Sequence, residues 1–194
     1  MGRVEWGSLV RPCSGERVAG DAVVIRRIDD TVFAAIVDVL GHGEDAHALA
    51  LEVVTFLRDS EGLALCATML ALHEHILGTR GAAAGLCSLR QSTGVLRYVG
   101  IGNTVIRRFG ASDARLVSRP GIIGGNHRSL REEHMRLEAG DVVVLYTDGV
   151  RDHFALDEYP QILCHDPETV ARTVLHRFGK AHDDSACIAL KYAS

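Results

Sequence analysis

No stretch of this chain is apolar for long enough to span a bilayer. The longest uncharged apolar run, around Leu63 to Leu72, falls well short of the roughly 20 residues a membrane helix needs. The opening residues, MGRVEWGSLV, lack the apolar core of a signal peptide. Five cysteines (Cys13, Cys66, Cys87, Cys164 and Cys187) are odd in number and show no paired spacing, which argues against a disulfide framework or a cysteine-built zinc site. Several sit within apolar segments, as small reduced core residues do. Positive charge is short as well. With 21 Lys+Arg against 25 Asp+Glu, a net charge of −4 and a pI near 6.2, no field exists to draw nucleic acid or an anionic membrane surface. Arg26-Arg27 and Arg107-Arg108 are short doublets, expected on solvated strand faces. Together these absences predict a soluble, cytoplasmic protein.

Internal repeats, low-complexity tracts and Pro/Ser-rich linkers are missing too, and at 47% hydrophobic the 194 residues can bury a full core. One domain spanning 1–194 is expected, and nothing demands an assembly, so a monomer is the expectation. Several catalytic signatures are absent. No cysteine has an arginine six residues on, and there is no G-x-S-x-G elbow, no Walker lysine and no dinucleotide fingerprint after Gly100 and Gly102. HEHIL, His73 to Leu77, is not H-E-x-x-H; two residues apart, His73 and His75 do not share a helix face and read as solvated.

What is present is a sharp alternation of textures. DAVVIRRI and TVFAAIVD, residues 21 to 38, read as a β-hairpin around Asp29-Asp30. Residues 44 to 58 carry Ala46, Leu49, Ala50, Val53, Val54 and Leu57 at helical spacing, and 62 to 77 predict a second helix with Leu65, Met69, Leu72 and Ile76 on one face. Short glycine-punctuated β segments follow, then the buried strand DVVVLYTDGV. Asp166, Pro167 and Gly179 bracket a third helix before the closing strand DDSACIALKYA. Helices flanked by consecutive strands, without regular β-α-β alternation, predict an α+β fold with mainly antiparallel sheets.

Four aspartates abut apolar strands. If Asp29-Asp30 form the loop, paired positions sum to 59 and Asp21 faces Asp38, two like charges roughly 5 Å apart that repel unless a cation intervenes. Asp148 ends one strand and Asp183 begins another, so in antiparallel sheets all four acids can gather at one edge. An all-oxygen set suits Mg²⁺ or Mn²⁺ rather than zinc. Each Asp taken singly also reads as an ordinary turn residue. On pattern alone, four separate turns and one metal cluster both fit.

AGD (Ala19 to Asp21), DVLGHG (Asp38 to Gly43), YTDGV (Tyr146 to Val150) and DDSACIAL (Asp183 to Leu190) resemble, in order and spacing, the PPM (PP2C-type) metal-dependent Ser/Thr phosphatases, in their SpoIIE/RsbU/RsbX branch. The resemblance covers nearly the whole chain. VGIGN and the lack of an attached sensor domain look most like the compact RsbX type of stressosome signalling. It implies an αββα sandwich, two antiparallel sheets flanked by helices, with two divalent cations, Mn²⁺ or Mg²⁺, at one end. Asp38 would bridge the ions; Asp21 and the Val39 carbonyl would assist one, Asp148 and Asp183 would hold the other, and Asp184 and Gly149 would support them. Ala19 and Leu40 depart from the common residues at their places, and no arginine stands where a phosphate grip is expected.

The implied reaction is metal-dependent hydrolysis of phosphoserine or phosphothreonine, with His42 either protonating the leaving oxygen or serving only as a turn residue. By analogy the substrate is a phosphorylated STAS-domain stressosome subunit. A catalytically silent binding module and a phosphatase of small phosphoesters are the alternatives.

Overall fold

The computed structural model describes residues 2–110, 112–151 and 160–193. Among these residues, ten strands run as β1 (Arg3–Arg11), β2 (Asp21–Ile28), β3 (Thr31–Val39), β4 (Ala82–Arg90), β5 (Val95–Ile101), β6 (Val105–Phe109), β7 (Ala114–Val117), β8 (Glu133–Arg136), β9 (Val142–Tyr146) and β10 (Ser185–Ala193). Three α-helices accompany them: α1 (Glu44–Asp59), α2 (Leu65–His75) and α3 (Pro167–Phe178). A short 3₁₀ helix occupies Pro160–Cys164.

The strands form two five-stranded sheets, β1-β10-β9-β6-β7 and β2-β3-β4-β5-β8, with every named pair antiparallel. The layers explain why β3 and β9 are apolar throughout instead of alternating. Phe33, Ala35 and Val37 face the layer under α1 and α2, while Val32, Ala34 and Ile36 face the other sheet. In β9, Val142, Val144 and Tyr146 pack toward α3, and Val143 and Leu145 pack between the sheets. A strand covered on both faces needs apolar residues on both. This is the expected αββα sandwich. Cys87 and Cys187 fill its interior as small core residues, and the cysteines are all free.

The β2–β3 hairpin has the register that loop parity requires, Ile28 opposite Thr31 and Asp21 opposite Asp38. The first helix matches its prediction to within a residue. The second is shorter than the expected 62–77: Gly62 adopts a positive φ of 74°, outside a helix, and at the other end Ile76 (φ −106°, ψ 20°) already leaves the helical range. Asp166 caps α3 as expected, accepting from the Thr169 amide at 3.0 Å.

Two strands escaped the sequence reading. β1 and β8 lie at sheet edges and carry mixed polar residues, so neither shows an apolar run. Of the residues expected to be solvated, Arg26 and His73 are half-buried and engaged, while His75 is exposed and paired at the surface. Arg26 lies over the Phe33 ring, 5.3 Å from its centroid, and donates to the Arg58 and Ser60 carbonyls at the end of α1. The Nδ1 of His73 accepts the Gly124 amide at 3.0 Å, and His75 pairs with Glu52 at 3.1 Å. No helix among the described residues is long and apolar enough to cross a membrane.

Candidate active site

β2 begins at Asp21 and β3 ends one residue past Asp38, so register alone puts these carboxylates side by side at one end of their sheet. From the other sheet, Asp148 follows β9 by two residues and Asp183 precedes β10 by two. The strand runs are thus slightly shorter than expected, and both acids sit in the turns just beyond them. The two sheets stack with these ends together. Asp38, Asp148 and Asp183 line one cavity of about 530 Å³ with Leu40, His42 and Asn103.

Asp21 is the buried member, 5% exposed. Its Oδ2 accepts the Thr147 hydroxyl at 2.7 Å, a bond that ties the start of β2 to the end of β9. Thr147 Oγ1 also accepts the Ala186 amide at 3.0 Å, which fixes the direction in which its proton points to Asp21. Burial first, then the Asp38 charge, holds the Asp21 carboxyl well above the usual range, with the Thr147 bond opposing. Burial, the charges of Asp148 and Asp183 and a hydrogen bond shared with Asp148 push Asp38 up to about 7, while a hydrogen bond from Asn103 works the other way. Asp183 is raised by burial and by Asp148, and Lys180 draws it back down.

The supporting residues act through the backbone. Asp184, 5% exposed, accepts the Cys13 amide through Oδ1 and the Gly20 amide through Oδ2, both at 2.7 Å. It thereby fixes the loop that delivers Asp21. Gly149 permits a close approach: a Cβ there would fall 1.7 Å from the Asp184 carbonyl oxygen. Gly41 and Gly43 take positive φ (87° and 78°), turning the chain from β3 into α1 with His42 displayed between them. His42 stands on the cavity wall, its Nδ1 2.8 Å from Glu16 Oε1.

Glu16, Asn103 and Thr147 were not singled out as site residues in the sequence. Thr147 lies inside YTDGV and Asn103 ends VGIGN, so both carried a signal by position. Glu16 carried none.

The donor set fits hard divalent cations. It is all oxygen, three of its carboxylates line the cavity, and the charges of neighbouring members raise the affinity of Asp38 and Asp183 for protons. Among the described residues, though, no three His, Cys, Asp or Glu side chains already close around a single point as a metal would require. What the structure brings together on one cavity is Asp38, Asp148 and Asp183, while Asp21 lies buried behind them opposite Asp38.

Residues 28–193 match the family model described as Stage II sporulation protein E (SpoIIE). No curated protein matches the chain. Among solved structures, one similar chain comes from a structure described as "The bacterial stressosome: a modular system that has been adapted to control secondary messenger signaling". It is 25% identical, with a TM-score of 0.89 over 97% of this chain and 100% of the other. RsbX in complex with magnesium is 17% identical, TM-score 0.79, with 100% of each chain covered. The PP2C phosphatase domain of SpoIIE from Bacillus subtilis is 20% identical, TM-score 0.77, over 99% of this chain and 62% of that one. At these last two identities the likeness is one of fold.

Proposed function

The chain belongs to the SpoIIE family of PP2C-type metal-dependent serine/threonine protein phosphatases, and on that premise we propose that its substrate is a phosphorylated signalling protein, a STAS-domain subunit of the stressosome kind. The observation that carries the catalytic reading is the meeting of Asp38, Asp148 and Asp183 on one cavity from two different sheets. The stressosome reading draws its support from full-length likeness to a stressosome chain and to RsbX.

In this proposal Asp38, Asp21 and the Val39 carbonyl would hold one divalent cation, and Asp38, Asp148 and Asp183 a second, Mn²⁺ or Mg²⁺. Bound there, such ions supply the Lewis acidity that neutralises phosphoryl oxygens and makes a water acidic near neutral pH. The remaining work falls to the chain. Asn103 orients the Asp38 carboxylate by hydrogen bonding, and Thr147 does the same for Asp21. Asp184 holds the loop before β2, and Gly149 lets the turn after β9 pack close against the Asp184 backbone. As the imidazolium, His42 would donate its Nδ1 proton to Glu16 in a hydrogen bond and keep an Nε2 proton to pass to the departing seryl or threonyl oxygen, leaving the neutral ring.

The test is phosphate release from a phosphorylated STAS-domain scaffold protein, in a cytoplasm-like buffer, with Mn²⁺ or Mg²⁺ supplied or chelated. Release that requires the cation is expected. Release indifferent to chelation would overturn the metal assignment, and metal-dependent hydrolysis confined to small esters would overturn the protein substrate.

A further inference from the structure

Two large apolar side chains stand exposed on the wall of the acid-lined cavity, Leu40 at 40% and Ile122 at 37%. Neither contributes to the packed clusters of the sandwich. Their placement is nonetheless firm. The Leu40 amide donates to the Gly81 carbonyl at 3.1 Å, and the Leu40 carbonyl accepts Arg80 Nη1 at 3.1 Å. Next to Gly81, Ala82 and Ile123 exchange two backbone hydrogen bonds of 3.1 and 2.8 Å, while the Ile122 amide donates to Asn126. A Cβ on Gly81 would come within 2.5 Å of Ile122 Cγ2. Leu40 and Ile122 are thus hung on either side of one rigid backbone crossing, an apolar shelf that folding does not need.

The cavity also continues past the acids. Gly102, Asn103 and Asp148 belong equally to a second hollow of about 350 Å³, walled in part by Val117, Val150 and Lys180. Val117 is 52% exposed. Asp148 therefore sits where the two hollows join into one trough, each end of which is partly apolar.

We propose that this trough takes an extended phosphorylated segment of a protein, and that Leu40 and Ile122 receive a large apolar side chain flanking the phosphoserine or phosphothreonine. The proposal rests on the phosphatase reading above and names its substrate class. A small phosphoester is too short to fill the shelf and the second hollow together. A phosphorylated segment with a flanking Leu, Ile or Met removes apolar surface from water on both partners, the term that dominates such contacts. Because successive side chains of an extended chain point to opposite sides, a flanking residue can reach the wall while the phosphate faces the acids.

The experiment compares two synthetic phosphoserine peptides, identical except for Leu or Ser at both flanking positions, with p-nitrophenyl phosphate as the small substrate, all with Mn²⁺. For the unaltered chain, kcat/KM is expected to favour the Leu peptide by about tenfold. In the Leu40→Ser, Ile122→Ser double variant that ratio should fall toward one. Using the ratio within each protein cancels any change in metal affinity or folded fraction. Should the double variant fail to fold, either single variant gives the same reading, with a partial fall expected. Equal rates on the two peptides, or a ratio unmoved by the substitutions, overturns the shelf while p-nitrophenyl phosphate turnover leaves the phosphatase reading standing. Absence of turnover on all three substrates overturns that reading and the shelf with it.

Discussion

Glu16 and His42 form a carboxylate–imidazole pair, with Oε1 of the first 2.8 Å from Nδ1 of the second. The pair is partly in solvent, with side chains 32% and 67% exposed, so its value to stability is small. Its value lies in orientation. The Glu16 loop is held at both ends by Asp184, and beside Cys13 by the Ser14 amide donating to the Ala181 carbonyl at 2.8 Å. Glu16→Gln should therefore slow kcat on a phosphoseryl protein by about tenfold with KM little changed. On p-nitrophenyl phosphate, whose leaving group needs no proton, the effect should be much smaller. Adding Glu16→Gln to His42→Ala should cost nothing more, and equal losses on both substrates would contradict the orienting role.

Asp38 and His42 differ in what their loss removes. Asp38→Asn takes away a charge proposed to serve both cations, so turnover should fall to background and calorimetric Mn²⁺ binding should weaken sharply. His42→Ala should leave Mn²⁺ binding intact and slow turnover by roughly 10²-fold. Similar residual rates in the two variants would refute these roles.

The raised carboxyls make a statement about pH. Asp38 is held up to about 7 against an ordinary value of 3.8, and Asp21 is shifted the same way. The folded state then keeps protons that the unfolded chain releases, so this contribution to stability is complete below the ordinary value and is lost as pH rises through about 7. In the presence of a chelator, the thermal midpoint should be lower near pH 8 than near pH 5.5. Adding Mn²⁺ should raise it most at the higher pH, where cation and proton no longer compete. A chelated protein more stable at the higher pH would contradict this account.

Asp184 acts on folding. Its carboxylate serves two buried amides, from Cys13 and Gly20, that nothing else among the described hydrogen bonds satisfies. Asp184→Ala should destabilise the protein by about 3 kcal/mol, read from the urea midpoint. Asp184→Asn keeps one acceptor oxygen and should recover part of that loss. A change in the alanine variant below about 1 kcal/mol would show the loop to be held by other means.

The chain's local chemistry was enough to determine the hairpin register, because side-chain alternation and an even loop leave Asp21 only Asp38 to face. It likewise determined the apolar interiors of β3 and β9 and the Asp166 cap, all matters of neighbours a few residues apart. β1 stayed hidden because an edge strand is identified by its partner: its backbone pairs with β10, more than 170 positions along the chain. Only the stacking of the sheets decided that Thr147 would reach Asp21, that Asp148 would line one cavity with Asp38, and that Glu16 would meet His42. Such contacts depend on how two layers are rotated and shifted against each other, and that is set by the summed packing of both faces. Periodicity within any one segment carries no record of it.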